Sequence, residues 1–85
     1  MKPSRIQGLV EALGVELKAR RAELGYSQED LAAKAGLDRP YVSLVEVGLK
    51  QPTLSVLFRL ARGVDLTFEE LAGRVESRYG RSTLE

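Results

Sequence analysis

Apolar residues recur at every third or fourth position along most of this chain, a spacing that places their side chains on one face of an α-helix. The first such run consists of Ile6, Leu9, Val10, Leu13, Leu17 and Leu24. No segment alternates apolar and polar residues in the way that a half-buried strand requires. The pattern therefore predicts an all-α fold.

Capping residues and glycines divide this pattern into five short helices. Gly25 and Gly36 suit the left-handed positions that end the first two helices. Residues that favour the N-cap position precede helices 2 to 5: Ser27, Asp38, Thr53 and Thr67. Thr67 is followed three residues later by Glu70, which predicts a capping box. The residues expected to face inward on the last two helices are Leu54, Leu57, Leu60, Ala61, Val64, Phe68, Leu71 and Val75.

The composition argues against an enzyme. A chain of 85 residues supports one domain with one modest core. It has neither cysteine nor histidine, so disulfides, thiolate metal sites and the commonest acid–base side chain are absent. No nucleophile with a base, phosphate-binding glycine loop or metal-ligand cluster is visible. We expect a protein without catalytic activity, cofactor or metal, whose stability comes from packing.

The charge balance does not by itself identify a partner. The formal net charge is +1, so a surface for a polyanion has to arise from the distribution of the charges. The start of the chain lacks the apolar stretch of a signal peptide or a membrane-spanning helix. We expect a cytoplasmic protein that does not contact a membrane.

Residues 28–46 contain the parts of a helix-turn-helix: small alanines, a glycine in a tight turn, and apolar residues in the second helix. A simple helical hairpin shares these parts, but the wider sequence from Leu13 to Leu71 resembles the Cro and phage-repressor type (XRE-like) helix-turn-helix family. The residues that carry the resemblance are Leu13-Gly14, Arg21, Gly25-Tyr26-Ser27-Gln28, Leu31-Ala32, Ala35-Gly36, Tyr41-Val42-Ser43, Glu46, Gly48, Pro52-Thr53-Leu54, Leu57, Ala61 and Leu71. Residues 37–43 are particularly similar to the recognition helix of restriction-modification controller proteins.

The resemblance implies a compact five-helix, repressor-like domain over residues 13–76. Residues 1–12 are expected to extend helix 1, and residues 77–85 are expected to form a flexible tail. The implied function is sequence-specific binding of double-stranded DNA by a dimeric transcriptional regulator, with helix 3 in the major groove.

By position in the family, the base-reading residues are Arg39, Pro40, Ser43 and Leu44. Arg39 is the main candidate, because its planar guanidinium matches the O6 and N7 acceptors of guanine. The alternative for Arg39 is a solvated side chain that pairs locally with Asp38. Leu44 is expected either to contact a thymine methyl or to be a tolerated surface leucine.

The resemblance also implies contacts with the DNA backbone. Gln28, at the start of helix 2, is expected to direct its amide toward a phosphate, and Lys50 and Gln51 are expected to contact phosphates from the loop after helix 3. Val47 occupies a position where the family often has arginine or asparagine, so one such contact is missing.

Two further features concern structure and assembly. The resemblance implies a partly buried pair between Arg21 and Glu46 that positions the recognition helix.

Because one domain presents one recognition helix, we expect a homodimer on a palindromic operator. The apolar residues expected to be available for its interface, at helix 5 and its surroundings, are Phe58, Val75, Tyr79 and Leu84.

The alternative function is a protein-interaction module, such as an antitoxin, in which DNA binding is secondary or absent. The set Arg39, Gln28 and Lys50 favours DNA binding, because a pure adaptor does not need residues that face a groove.

Overall fold

The computed structural model describes residues 5–84, with side chains up to Arg81. It contains α1 (Gln7–Leu24), α2 (Gln28–Ala35), α3 (Arg39–Glu46), α4 (Leu54–Gly63) and α5 (Phe68–Leu84). No strand occurs within residues 5–84. The predicted all-α fold with five helices is confirmed.

Side-chain caps start α2 to α5 where the sequence predicts them, whereas Ile6, the N-cap of α1, makes no side-chain hydrogen bond. The Ser27 hydroxyl accepts from the Asp30 N–H at 3.0 Å, and the Asp30 carboxylate accepts from the Ser27 N–H at 2.8 Å. Thr67 and Glu70 make the same reciprocal pair before α5. The backbone N–H groups of Ser27 and Thr67 lower the pKa values of Asp30 and Glu70, because these donors stabilise the ionised carboxylates.

One core lies between α1 and α5 on one side and α2, α3 and α4 on the other. Its fully buried large side chains are Leu17, Leu31, Val42, Val45, Leu60, Val64 and Leu71. Each stabilises the fold by roughly 1.5–3 kcal/mol relative to an exposed position. The helical spacing of the sequence therefore identified most of the core.

Three residues of the predicted apolar stripes lie outside the core. Ile6 is 53% exposed and is the N-cap of α1, Leu9 is 36% exposed in the first turn of α1, and Leu54 is 72% exposed in the first turn of α4. All three lie at a helix end, where the stripe extends past the neighbouring helices. Their predicted burial was wrong.

The C-terminal segment also differs from the expected flexible tail, because α5 continues to Leu84. Tyr79 packs against the core and lies against Gly8 of α1, and the Arg78 guanidinium pairs with the buried carboxylate of Glu16. These contacts with α1 stabilise the extra turns of α5. Residues 1–4 and 85 of the predicted extension and tail lie outside the described residues.

Glycines allow two close helix crossings. A Cβ at Gly14 of α1 would lie 2.6 Å from the carbonyl oxygen of Val45 in α3. A Cβ at Gly63 of α4 would lie 2.7 Å from the Leu31 side chain of α2. Both distances are far below van der Waals contact. The two helices of the predicted helix-turn-helix are therefore held at close range by α1 and α4.

We expect Gly14→Ala to lower the free energy of unfolding by roughly 1–3 kcal/mol, because the added methyl group meets the backbone of α3 and forces the helices apart. Gly73→Ala is the matched control, since its Cβ would lie in open space on an exposed part of α5. This control should raise the stability by about 0.5–1 kcal/mol. Urea denaturation at a fixed protein concentration measures both effects. Equal effects of the two variants would contradict the close crossing.

Candidate nucleic-acid interface

The turn between α2 and α3 is short and is held by several hydrogen bonds. Gly36 adopts a left-handed conformation with φ of 69°, and the Leu37 N–H donates to the Ala32 carbonyl at 2.8 Å. Arg59 of α4 donates from Nε to the Ala35 carbonyl at 2.9 Å and from Nη2 to the Gly36 carbonyl. These bonds satisfy the carbonyl groups at the end of α2 and tie the turn to α4.

Arg59 was not identified from the sequence. It lies 23 and 24 residues away from its two acceptors, on an otherwise ordinary amphipathic helix. The regular spacing of residues within one helix does not relate positions this far apart. The contact of Arg59 with the end of α2 therefore could not be recognised from the sequence.

The exposed side of α3 carries the four residues predicted to contact bases. Arg39, Pro40 and Leu44 are exposed and Ser43 is half-buried, whereas Val42 and Val45 face the core. The Asp38 carboxylate caps the helix by accepting from the Tyr41 N–H at 2.8 Å. Pro40 occupies a first-turn position of α3, where its missing N–H costs nothing.

Arg39 is held by Gln28 of α2. Its Nη1 donates to Gln28 Oε1 at 3.1 Å, and Gln28 Nε2 donates to Glu46 Oε1 at 3.1 Å. A guanidinium on one side and a carboxylate on the other determine the orientation of this amide. Gln28 was expected to direct its amide toward a phosphate. In the structure the amide lies between Arg39 and Glu46.

The chain of hydrogen bonds ends at a buried ion pair. Arg21 of α1 donates to both carboxylate oxygens of Glu46, at 2.6 and 2.7 Å, and to the Tyr26 carbonyl at 2.9 Å. The Glu46 side chain is 3% exposed and the Arg21 side chain 13%. Hydrogen bonding to Glu46 raises the pKa of Arg21. The predicted pair is therefore present and connects α1 to the last turn of α3.

The loop after α3 places Lys50 close to the end of that helix. Gly48 adopts φ of 80°, and the N–H groups of Leu49 and Lys50 both donate to the Leu44 carbonyl. Gln7 of α1 donates to the Gly48 carbonyl at 2.8 Å, a contact that the sequence did not predict. Lys50 and Gln51 are exposed, as a contact with phosphates requires.

The arrangement can bind a polyanion but shows no site for a metal. Arg39 and Lys50 provide exposed donors at the two ends of α3, while Glu46, the only acidic residue of that helix, is neutralised by Arg21. The described part of the chain has no group of three histidine, cysteine, aspartate or glutamate residues suited to a metal ion. No helix within residues 5–84 is long and apolar enough to cross a membrane.

Comparisons with known proteins find related sequences and structures. The family model described as helix-turn-helix matches residues 17–71. The control protein C.MunI from Mycoplasma sp is 36% identical over 59 residues, which cover 69% of this chain and 80% of that protein. The uncharacterised HTH-type transcriptional regulator y4dJ from Sinorhizobium fredii is 32% identical over 59 residues, which cover 69% of this chain and 77% of that protein.

The crystal structure of the restriction-modification controller protein C.AhdI from Aeromonas hydrophila is similar with a TM-score of 0.70. It is 39% identical and the match covers 73% of this chain and 94% of that chain. The match spans most of that structure.

We expect Arg21→Ala and Glu46→Ala each to lower the free energy of unfolding by about 3–5 kcal/mol, because each leaves one charge buried without its partner. The double variant should lose less than the sum of the two losses, since neither charge is then stranded. Glu23→Ala, which removes a half-exposed partner of Arg20 on α1, is the control and should change stability little. Chemical denaturation of the four proteins measures the cycle. Additive losses from Arg21→Ala and Glu46→Ala would contradict a coupled buried pair.

Proposed function

We propose that this chain, which belongs to the helix-turn-helix family, is a transcriptional regulator. It binds a specific double-stranded DNA site through α3. The similarity to control and controller proteins supports a related regulatory role. Because double-stranded DNA is the proposed partner, we also propose that the protein acts in the cytoplasm. Its function is binding rather than catalysis.

The observation that carries this function is the exposed side of α3. Arg39, Pro40, Ser43 and Leu44 lie there together, on the side opposite the core residues Val42 and Val45. An α-helix fits the major groove of B-DNA, and in helix-turn-helix proteins the N-terminal residues of the second helix contact base edges. The same docking would bring Arg39 to the bases first.

Arg39 is suited to read guanine because its position is set before DNA binds. Gln28 holds one nitrogen of the guanidinium, and Gln28 is itself held by Glu46. The exposed guanidinium keeps further N–H donors for the O6 and N7 atoms of a guanine. A pre-positioned arginine loses less conformational freedom on binding than a free one.

Lys50 and Gln51 are proposed to contact the DNA backbone. They follow α3 in a loop whose conformation is determined by Gly48 and by its bond to Gln7. A lysine ammonium neutralises a phosphate without reading the base sequence. The loop therefore contributes affinity and register, whereas Arg39 contributes specificity.

We also propose that the protein acts as a homodimer through the start of α4 and of α5. Phe58 is 51% exposed, lies one helical turn after the exposed Leu54, and its ring centroid is 6.3 Å from that of Phe68. Phe68 also lines an open apolar groove of about 870 Å³ between α1, α4 and α5. A second copy would remove this continuous apolar surface from water.

Two other residues expected at the interface belong to the same groove. Val75 is 8% exposed and Tyr79 is half-buried, and both line the groove between α1, α4 and α5. The side chain of Leu84 lies outside the described residues. Among the described side chains of these four expected interface residues, that of Phe58 is the exposed one.

We expect Arg39→Ala to weaken binding to a site selected from random DNA by about 1–3 kcal/mol and to relax the preference at one base pair per half-site. Lys50→Ala should weaken selected and unrelated DNA almost equally, and it should reduce the slope of log affinity against log salt by roughly 0.9. Titrations with the selected site, its single-base variants and an unrelated duplex at two salt concentrations measure both effects. The function fails if no sequence is enriched, and Arg39 is not the reader if its loss leaves every base preference intact.

We expect Phe58→Asp to give monomers at concentrations where the unaltered protein is a dimer, because a carboxylate in an apolar interface is costly to desolvate. The variant should also bind a two-half-site operator more weakly. Val15→Asp on α1 is the control, since Val15 is 45% exposed and lies outside the proposed interface. Sedimentation equilibrium measures the association. A dimer that persists in Phe58→Asp would place the interface elsewhere.

A further inference from the structure

Apart from Arg39 and the half-buried Ser43, the exposed side of α3 is apolar. Leu44 is 39% exposed and Val47, directly after the helix, is 63% exposed. Pro40, also exposed, precedes Leu44 by four residues, and Val47 follows it by three, so the three share one side of the helix. We call Pro40, Leu44 and Val47 the apolar stripe.

The apolar stripe is not needed for the core. The residues by which α3 packs on the rest of the domain are Val42, Val45 and, at its edge, Tyr41. Single exposed apolar side chains are common on protein surfaces, but a contiguous row on the side proposed to bind a partner indicates a contact surface.

We propose that Leu44 and Val47 read the C5-methyl groups of thymines in the major groove. This inference rests on the proposed function and names the base features that the site selects besides guanine. In the major groove the base edges present hydrogen-bond donors and acceptors, and the thymine methyl is the apolar group among them. An apolar stripe that enters the groove buries its surface most favourably against such methyl groups.

The charges around the stripe favour DNA over an apolar protein partner. Arg39 lies at one end and Lys50 just beyond the other, and both are exposed. Glu46, the only carboxylate in the sequence of α3, is buried against Arg21. The exposed carboxylate at this end of α3 is that of Asp38, which accepts from the Tyr41 N–H as the helix cap. The stripe itself is thus flanked by Arg39 and Lys50, whose positive charges complement a phosphate backbone.

The length of the stripe determines which bases it reaches. Seven residues separate Pro40 from Val47, so the stripe extends over roughly 10 Å at 1.5 Å per residue. At 3.4 Å per base pair this distance corresponds to about three base pairs. The thymines read by Leu44 and Val47 therefore lie within about three base pairs of the guanine read by Arg39.

The test replaces each thymine of the selected site by uracil, symmetrically in both half-sites, because this change removes only the methyl group. At a thymine contacted by Leu44 we expect affinity to fall about fourfold per half-site, and roughly fifteenfold for a dimer on two half-sites. Leu44→Ala should bind the thymine and uracil forms of that position with nearly equal affinity. Val47→Ala should do the same at a second position.

Lys50→Ala is the control, because it should weaken both DNA forms while the loss caused by uracil stays the same. Thermal denaturation of each variant checks that it is folded. A selected site that has its guanine but is indifferent to uracil overturns this inference and leaves the proposed function intact. An unchanged DNA affinity of the Leu44→Ala, Val47→Ala double variant also overturns it and assigns the stripe to another occupant, such as a protein. Failure to enrich any sequence overturns the proposed function itself.

Discussion

The guanidinium of Arg21 and the carboxylate of Glu46 meet between α1 and the last turn of α3, where both side chains are largely shielded from water. A buried carboxylate requires a partner, and here the partner donates to both of its oxygens. One of those oxygens also accepts from Gln28, which in turn holds Arg39. The position of α3 and the direction of Arg39 therefore depend on one ion pair.

The same segment is also held from outside by close packing. Gly14 lets α1 approach the backbone of α3, and Gly63 lets α4 approach α2. Arg59 adds hydrogen bonds to the end of α2. An interior packed this tightly leaves the two short helices little freedom to rotate. The proposed reading of DNA benefits from such rigidity, because the helix that carries the side chains is in place before binding.

Much of the fold follows from local rules that the sequence states directly. Ser27 and Thr67 begin helices at the expected residues because a hydroxyl can satisfy backbone N–H groups from within its own segment. The periodic apolar residues identify most of the core for an equally local reason, since helical geometry alone places them on one face. Ile6, Leu9 and Leu54 depart from the pattern because periodicity does not say where a neighbouring helix ends.

The sequence by itself determined the five helices, the caps of α2 to α5, the tight turn and, through its resemblance to a family, which side of α3 to examine. Only the tertiary structure decided that Gln28 bridges Arg39 and Glu46, that Arg59 closes the turn, and that α5 continues past residue 77 against α1. Helix caps and apolar periodicity act over three or four residues, so they can be recognised from sequence. The decisive polar contacts join residues that are 11 to 25 positions apart, and those distances are set by how the helices pack against one another.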